Sequence, residues 1–260
     1  MKFKIKKRHL WEILKLNEIV SDEGKIVIDS DGWNIVMTDP CHVMMSVFRL
    51  HKSAFEEYPD DIDTTIGVIY ERINKFIYHF KADEVIEITL DEDNEKYILS
   101  HDNIHDENNF EDFTGWLDPT APKLNLSFKI NNMSNRGLRT ILKIGGAKKS
   151  NAVKFVWIKD KTFEMRTVDS PYGEDCYVRY HHGEGDVVLN RLDDKKGENN
   201  IIFSTYGWEY LDAMSGAIGK DDVFKYIKFG IDYPAEILFE RDDIYTMKYI
   251  LAPRIVTGEY

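Results

Sequence analysis

Asp39, Cys41 and His42 stand within four residues of one another in the stretch DGWNIVMTDPCHV. An acid, a thiol and an imidazole are the groups a cysteine hydrolase uses, but that chemistry needs thiol and base to converge on one point. Neighbours along an extended strand point to opposite faces, so the same residues also read as the polar turn of a β-hairpin. Nothing elsewhere strengthens the catalytic reading. His181 and His182 fall in HHGEG, where adjacent histidines do not readily share a metal and no strand-to-helix context surrounds the glycines; a loop is expected. The carboxylates between Asp83 and Asp118 lack EF-hand spacing, and Cys41 and Cys176 lack CxxC spacing. The expectation is a non-enzyme with no catalytic residues, no metal and no cofactor.

The elements that position charged residues are more informative. The net charge of −12 argues against a uniformly basic, polyanion-coating surface, yet the charge is segregated. From Asp83 to Asp118 thirteen acidic residues face one base, Lys96. From Leu124 to Lys159 there are eight bases and no acid, and the first fifteen residues carry Lys2, Lys4, Lys6, Lys7, Arg8 and Lys15 against Glu12. Helical periodicity organises these bases. In IYERINKFIYHF the apolar stripe is Ile69, Ile73, Phe76, Ile77 and Phe80, with Arg72, Lys75 and His79 opposite. In NRGLRTILKIGGAKKS the stripe is Leu138, Ile141, Leu142 and Gly145, with Arg136, Arg139 and Lys143 at i, i+3, i+7. A third helix, HLWEILKLNEIVS, is expected to turn Leu10, Trp11, Ile13, Leu14 and Val20 inward and Lys15 outward. The fourth, YGWEYLDAMSGAIGK, buries Tyr210, Leu211, Met214 and Ile218 but offers Glu209 and Asp212 outside.

Between the helices lie runs of β-branched and aromatic residues broken by Asp, Gly and Asn turns, the pattern of antiparallel strands. Their order repeats: helix one, KIVI and GWNIVMTDP match helix three, VKFVWI and TFEMRTVDSP about 130 residues later. Helix two with ADEVIEITL likewise matches helix four with KDDVFKYIKF. The fold class expected is α+β, with two similar domains at 1–104 and 123–260 and an acidic connector at 105–122. Cysteine usage fits a reducing compartment. The start of the chain has no apolar leader and no run approaches a membrane span, so a soluble intracellular protein without membrane contact is expected.

Several motifs then carry a resemblance. YILAPRI at Tyr249–Ile255 is close to the Tyr-x-Leu-Ala-Pro-Lys/Arg-Ile that lies near the C-terminus of the DNA polymerase sliding clamps of the proliferating cell nuclear antigen (PCNA) type, and MTDPCHV at Met37–Val43 resembles their Met-Asp-Pro-Ser-x-Val hairpin. KSAFEEY and TTIGV add to it, and the similarity runs in order over nearly the whole chain.

The resemblance implies a processivity factor: a ring of three subunits, sheets outside and helices lining a hole for duplex DNA, held through sequence-independent phosphate contacts. It gives the DNA-facing role to Lys15, Arg72, Lys75, Arg136, Arg139 and Lys143. It also implies a groove for short client peptides, matching His42, Val43, Leu117, Pro234, Tyr249, Leu251, Ala252 and Pro253. The implied partners are DNA polymerase, flap endonuclease, ligase and an ATP-driven clamp loader, in the archaeal cytoplasm at the nucleoid or in a eukaryotic nucleus. A heterotrimeric or specialised repair or checkpoint clamp is the alternative, suited by the acidic fourth helix. Ring closure is expected through CYVRY against an edge strand of the neighbour's first domain, either EKYILS or NNFEDF.

Overall fold

The structure, a computed structural model, describes residues 1–116, 119–158, 161–171, 176–192 and 201–254. The chain divides into two compact units, Met1–Ala121 with Glu240–Met247, and Pro122–Phe239 with Lys248–Tyr260. In chain order the first set of elements is β1 (Lys2–Lys6), α1 (Lys7–Glu18), β2 (Glu23–Asp29), β3 (Gly32–Thr38), β4 (Met44–His51), β5 (Phe55–Glu57), β6 (Thr64–Ile69), α2 (Tyr70–Ile77), β7 (Val85–Asp91), β8 (Lys96–His101) and β9 (Ile104–Asn109). The second set is β10 (Phe128–Ser134), α3 (Asn135–Ala147), β11 (Ala152–Ile158), β12 (Thr162–Val168), β13 (Tyr177–His181), β14 (Val188–Arg191), β15 (Ile201–Gly207), α4 (Trp208–Ala217), β16 (Val223–Phe229), β17 (Ala235–Arg241) and β18 (Tyr245–Leu251). Both sets run strand, helix, five strands, helix, three strands: the repeat legible in the sequence is a repeat of topology.

Strand order repeats too. The run β5-β1-β7-β8-β9 has its equivalent in β14-β10-β16-β17-β18, and β4-β3-β2-β6 in β13-β12-β11-β15. Pairing is antiparallel, for example Phe3 opposite Ile88 and Phe155 opposite Met165. Alternation in the sequence sets the inner faces. The first core gathers Phe3, Ile35, Phe48, Ile73, Ile77 and Leu99, with Phe3 and Trp33 edge to face at 5.5 Å. The second gathers Phe128, Phe155, Phe163 and Phe229 with Leu138 and Leu142, and each such buried side chain contributes roughly 1.5–3 kcal/mol.

The helices start in a repeated way. Three of the four lack a side-chain cap, and the leading N–H of each is taken by a backbone carbonyl: Lys7 by Glu84 and Tyr70 by Asp22 in the first unit, Asn135 by Asp222 and Trp208 by Asn151 in the second. In α3 the Ser134 hydroxyl adds a cap by accepting from the Arg136 N–H at 3.2 Å. Strand edges are treated alike as well. After β9 the Glu111 N–H donates to the Gly67 carbonyl of β6 at 2.9 Å, and after β18 the Arg254 N–H donates to the Thr205 carbonyl of β15 at 2.7 Å. Both acceptors stand two residues before their strand ends.

Three expectations change. Trp11 does not join the core; it is 43% exposed, whereas Leu10, Ile13 and Leu14 beside it are 1% exposed. Tyr210 is half-buried rather than buried. Residues 105–109, expected in the connector, belong to β9, paired with β8 from Lys96↔Asn109 to His101↔Ile104. The polar run IHDENN has no apolar alternation because both of its faces are largely solvated, so periodicity does not reveal it.

Candidate functional site

In the first unit α1 and α2 pack side by side. Lys15 on α1 lies with its ammonium 4.9 Å from the centre of the Trp11 ring. Lys75 on α2 is exposed and pairs with Glu71 one turn earlier at 2.8 Å, a solvated pair that leaves its charge available at little cost. Arg72 is different. Its guanidinium binds the Glu111 carboxylate of the segment that follows β9, so half of its charge is answered within the unit. His79 is exposed and edge-on to Tyr78 at 5.4 Å.

In the second unit the basic residues of α3 line its exposed side. Arg136 pairs with Asp221 at 2.5 Å, an interaction that holds the Asp221 carboxyl below its usual range and raises the guanidinium further. Lys143 is exposed and Arg139 half-exposed, and among the described residues neither has a carboxylate within 4.0 Å. These two are the least compensated cations of the expected set. On α4 the exposed side presents Glu209 and, half-buried, Asp212, while Gly216 stands in open space.

The turn of Asp39, Cys41 and His42 has one clear construction. The buried Asp39 carboxylate accepts from three backbone N–H groups: Oδ1 from Val43 at 2.7 Å and Met44 at 2.6 Å, Oδ2 from Cys41 at 3.2 Å. The Asp39 carbonyl accepts from the His42 N–H at 2.9 Å, and His42 takes a left-handed φ of 55°. Asp39 is therefore a turn organiser, tied up by amides, and the convergence a hydrolase needs is absent. His42 and Cys41 are exposed at the tip, and Val43 is half-buried behind them.

At the other end of the chain the expected groove positions separate into two kinds. Tyr249 and Leu251 are 0% and 1% exposed. Pro234, Ala252 and Pro253 are partly exposed, and the backbone before Pro234 is pinned where the Tyr233 carbonyl accepts from the Tyr206 hydroxyl at 2.9 Å and from Ser204 Oγ at 3.3 Å. Leu251 and Tyr249 are thus buried within their unit, whereas Pro234, Ala252 and Pro253 reach its surface. Position 251 falls in alternation with β18 residues that point inward, which is why it is buried. Leu117 lies outside the described residues. The HHGEG loop is a tight turn, with the Gly183 N–H on the Val187 carbonyl and His182 Nδ1 accepting from the Leu189 N–H.

Residues 7–114 match the family model described as "Proliferating cell nuclear antigen, N-terminal domain". The DNA polymerase sliding clamp of Methanosarcina barkeri is 27% identical over 239 residues, covering 91% of both chains. Along nearly its whole length the chain is thus similar to archaeal sliding clamps, and over residues 7–114 to the N-terminal domain of proliferating cell nuclear antigen. Its fold is that of solved clamps: a structure titled "C-terminal region of FEN-1 bound to A. fulgidus PCNA" superposes with a TM-score of 0.78 at 20% identity over 99% of each chain. The PCNA2–PCNA3 complex of Sulfolobus tokodaii gives 0.78 at 18% identity, over 98% of this chain and 99% of that one. Against that fold, three features escape sequence reasoning: the exposed indole of Trp11, the Arg72–Glu111 pair, and the buried amide of Asn135. The spacing Lys7, Trp11, Lys15 signals the first, since residues four apart share a helix face.

Proposed function

We propose that the chain closes into a ring of three copies around duplex DNA and tethers polymerase, nuclease and ligase clients through short peptides, acting without chemistry of its own. The observation that carries this reading is the segregation of charge: in an acidic protein, α1, α2 and α3 each present exposed cations at helical spacing, suited to phosphates of any sequence. Ring closure has a route. β13 and β9 are terminal strands of their sheets, whereas β8 is flanked on both sides, which removes EKYILS as a candidate partner and favours β9. Both strands carry exposed polar residues along an unpaired edge, as a head-to-tail contact between copies requires. On the client side, the proposed contact positions are the exposed His42 and partly exposed Val43 in the first unit, and the partly exposed Pro234, Ala252 and Pro253 in the second. Light scattering on the chromatographed chain tests the ring: a mass of three copies supports it. A stable monomer that assembles only with a related chain favours the heteromeric clamp, as in the complex of Sulfolobus tokodaii PCNA2 and PCNA3.

A further inference from the structure

A single exposed apolar side chain needs no explanation; what singles out Trp11 is the set of groups around it. The residues three or four positions away are Lys7, Arg8, Leu14 and Lys15. Leu14 points into the core, and the ammonium groups of Lys7 and Lys15 lie 5.5 and 4.9 Å from the indole centre. The carboxylates of α1 are turned elsewhere. Glu12 is held by Arg241 and stands 3.9 Å from His9, and Glu18 accepts from the Asn74 amide. Arg8 pairs with Asp83 at 2.9 Å. The surface left around the indole edge is cationic with an aromatic at its centre. A second aromatic stands at the same end of the helix pair. α1 and α2 run antiparallel, Tyr70 N–H meeting the Asp22 carbonyl at one end and Arg8 N–H the Ala82 carbonyl at the other. Tyr78, 79% exposed, ends α2 three residues after Lys75.

We infer that Trp11 is a DNA-contacting residue, packing its indole against the sugar and base edges of a strand whose phosphates are held by Lys7 and Lys15. Aromatics interleaved with cations hold single nucleic acid strands without reading their sequence; on a duplex, whose bases are stacked on one another, the indole packs against sugars and groove edges, a contact that reads no sequence either. The inference rests on the sliding-clamp reading and adds to it a contact of a different physical kind. Phosphate contacts release counterions and weaken as salt rises; an apolar contact with the indole releases none and persists. Tryptophan at this place gives the clamp a grip that salt does not dissolve. Resting, the two lysines shelter the ring by cation–π contact; phosphates draw the ammonium groups outward and open the indole.

The test is fluorescence anisotropy of a labelled linear duplex titrated with the intact chain at four salt concentrations. Trp11→Ala is expected to lower affinity about ten-fold at every salt concentration without changing the slope of log K against log salt. Lys15→Ala lowers the slope by about 0.9. Trp11→Phe retains most of the affinity and Trp11→Leu does not, with melting temperatures within about two degrees of the parent because the side chain is half in water. Parent-like binding by Trp11→Ala overturns the inference, as does Leu rescuing as well as Phe. A parent chain that confers no processivity on a polymerase at a primed circular template overturns the clamp reading and this contact with it; processivity by the parent with a Trp11→Ala chain equal to it in both binding and processivity overturns the contact alone.

Discussion

The α1/α2 and α3/α4 pairs occupy equivalent places in the repeat, yet their seams are built from opposite materials. The first is joined by a charge: Glu18 accepts from the Asn74 amide at the partly buried seam, and burial raises its carboxyl above the usual range despite that hydrogen bond. The second is neutral and dry. Asn135, 0% exposed, donates through Nδ2 to the carbonyls of Ser215 at 3.0 Å, Gly219 at 3.1 Å and Ile218 at 3.4 Å, and accepts from the Ser215 hydroxyl at 2.8 Å. The Trp208 ring lies on Gly145 and Gly146, where an added Cβ would come within 3.0 Å of its carbons at position 146, and its Nε1 donates to the Leu142 carbonyl at 3.0 Å. One amide thus answers the orphan carbonyls that end α4. With the seam saturated by neutral groups, the outer surface of α4 is free to be acidic without disturbing the packing, whereas α3 keeps its cations. Seam and surface are separate choices.

Removing the hub tests this most severely. Asn135→Ala strands the buried carbonyls of Ser215 and Ile218 and a hydroxyl, and is expected to destabilise the second unit by about 2–4 kcal/mol, read from urea denaturation. A loss no larger than that of Asn74→Ala would erase the distinction between the seams. Next comes the charge on α3. The triple replacement of Arg136, Arg139 and Lys143 by Ala should weaken duplex binding by more than ten-fold at low salt. The salt slope should fall by about two rather than three, since Arg136 is already answered by Asp221. An unaltered slope would mean that α3 does not face phosphate. Smaller and opposite in sign, Glu209→Gln with Asp212→Asn on α4 should tighten duplex binding about two- to five-fold at low salt and leave it unchanged at high salt, where screening removes the repulsion; the same anisotropy titration reads it.

The smallest expected effect is at Glu18. Its pKa is higher folded than unfolded, so the folded state favours the protonated form and ionisation removes stability as pH rises through the unfolded and then the folded value. Glu18→Gln keeps the acceptor for Asn74 and should raise stability at pH 7 by less than about 1 kcal/mol, the carboxylate still being partly hydrated. Below about pH 4, where both states of the parent are protonated, the gain should vanish in thermal unfolding.

The sequence carried the fold further than the site. Helical stripes such as Ile73, Phe76 and Ile77, and the repeated strand order, were legible because core burial imposes periodicity, and the two units follow it. β9 was not legible, because an edge strand wet on both faces leaves no apolar period. Cations were visible as a helix face, but not their partners: that Arg72 reaches Glu111, 39 residues on, is a product of tertiary packing. Trp11 joins the inward stripe in the sequence and lies outside it in the fold, since a hydropathy pattern cannot tell an indole that completes a core from one that borders it. Leu251 is a motif residue whose burial a motif does not reveal.

The paired closures of β6 and β15 have a bearing on how such a chain survives in a crowded cell. Each strand would otherwise end its sheet with bare carbonyls and amides, and bare edges recruit stray strands from other chains. The segment leaving β9 and the segment leaving β18 each lay one amide on the equivalent carbonyl, Gly67 or Thr205. At Gly67 the approach is so close that a methyl group would sit 2.3 Å from the Glu111 oxygen, so glycine is what lets this closure seat. The two tails act as selvedges, the finished borders of a woven cloth. Two of the places where a stray strand could add to these sheets are thereby hemmed.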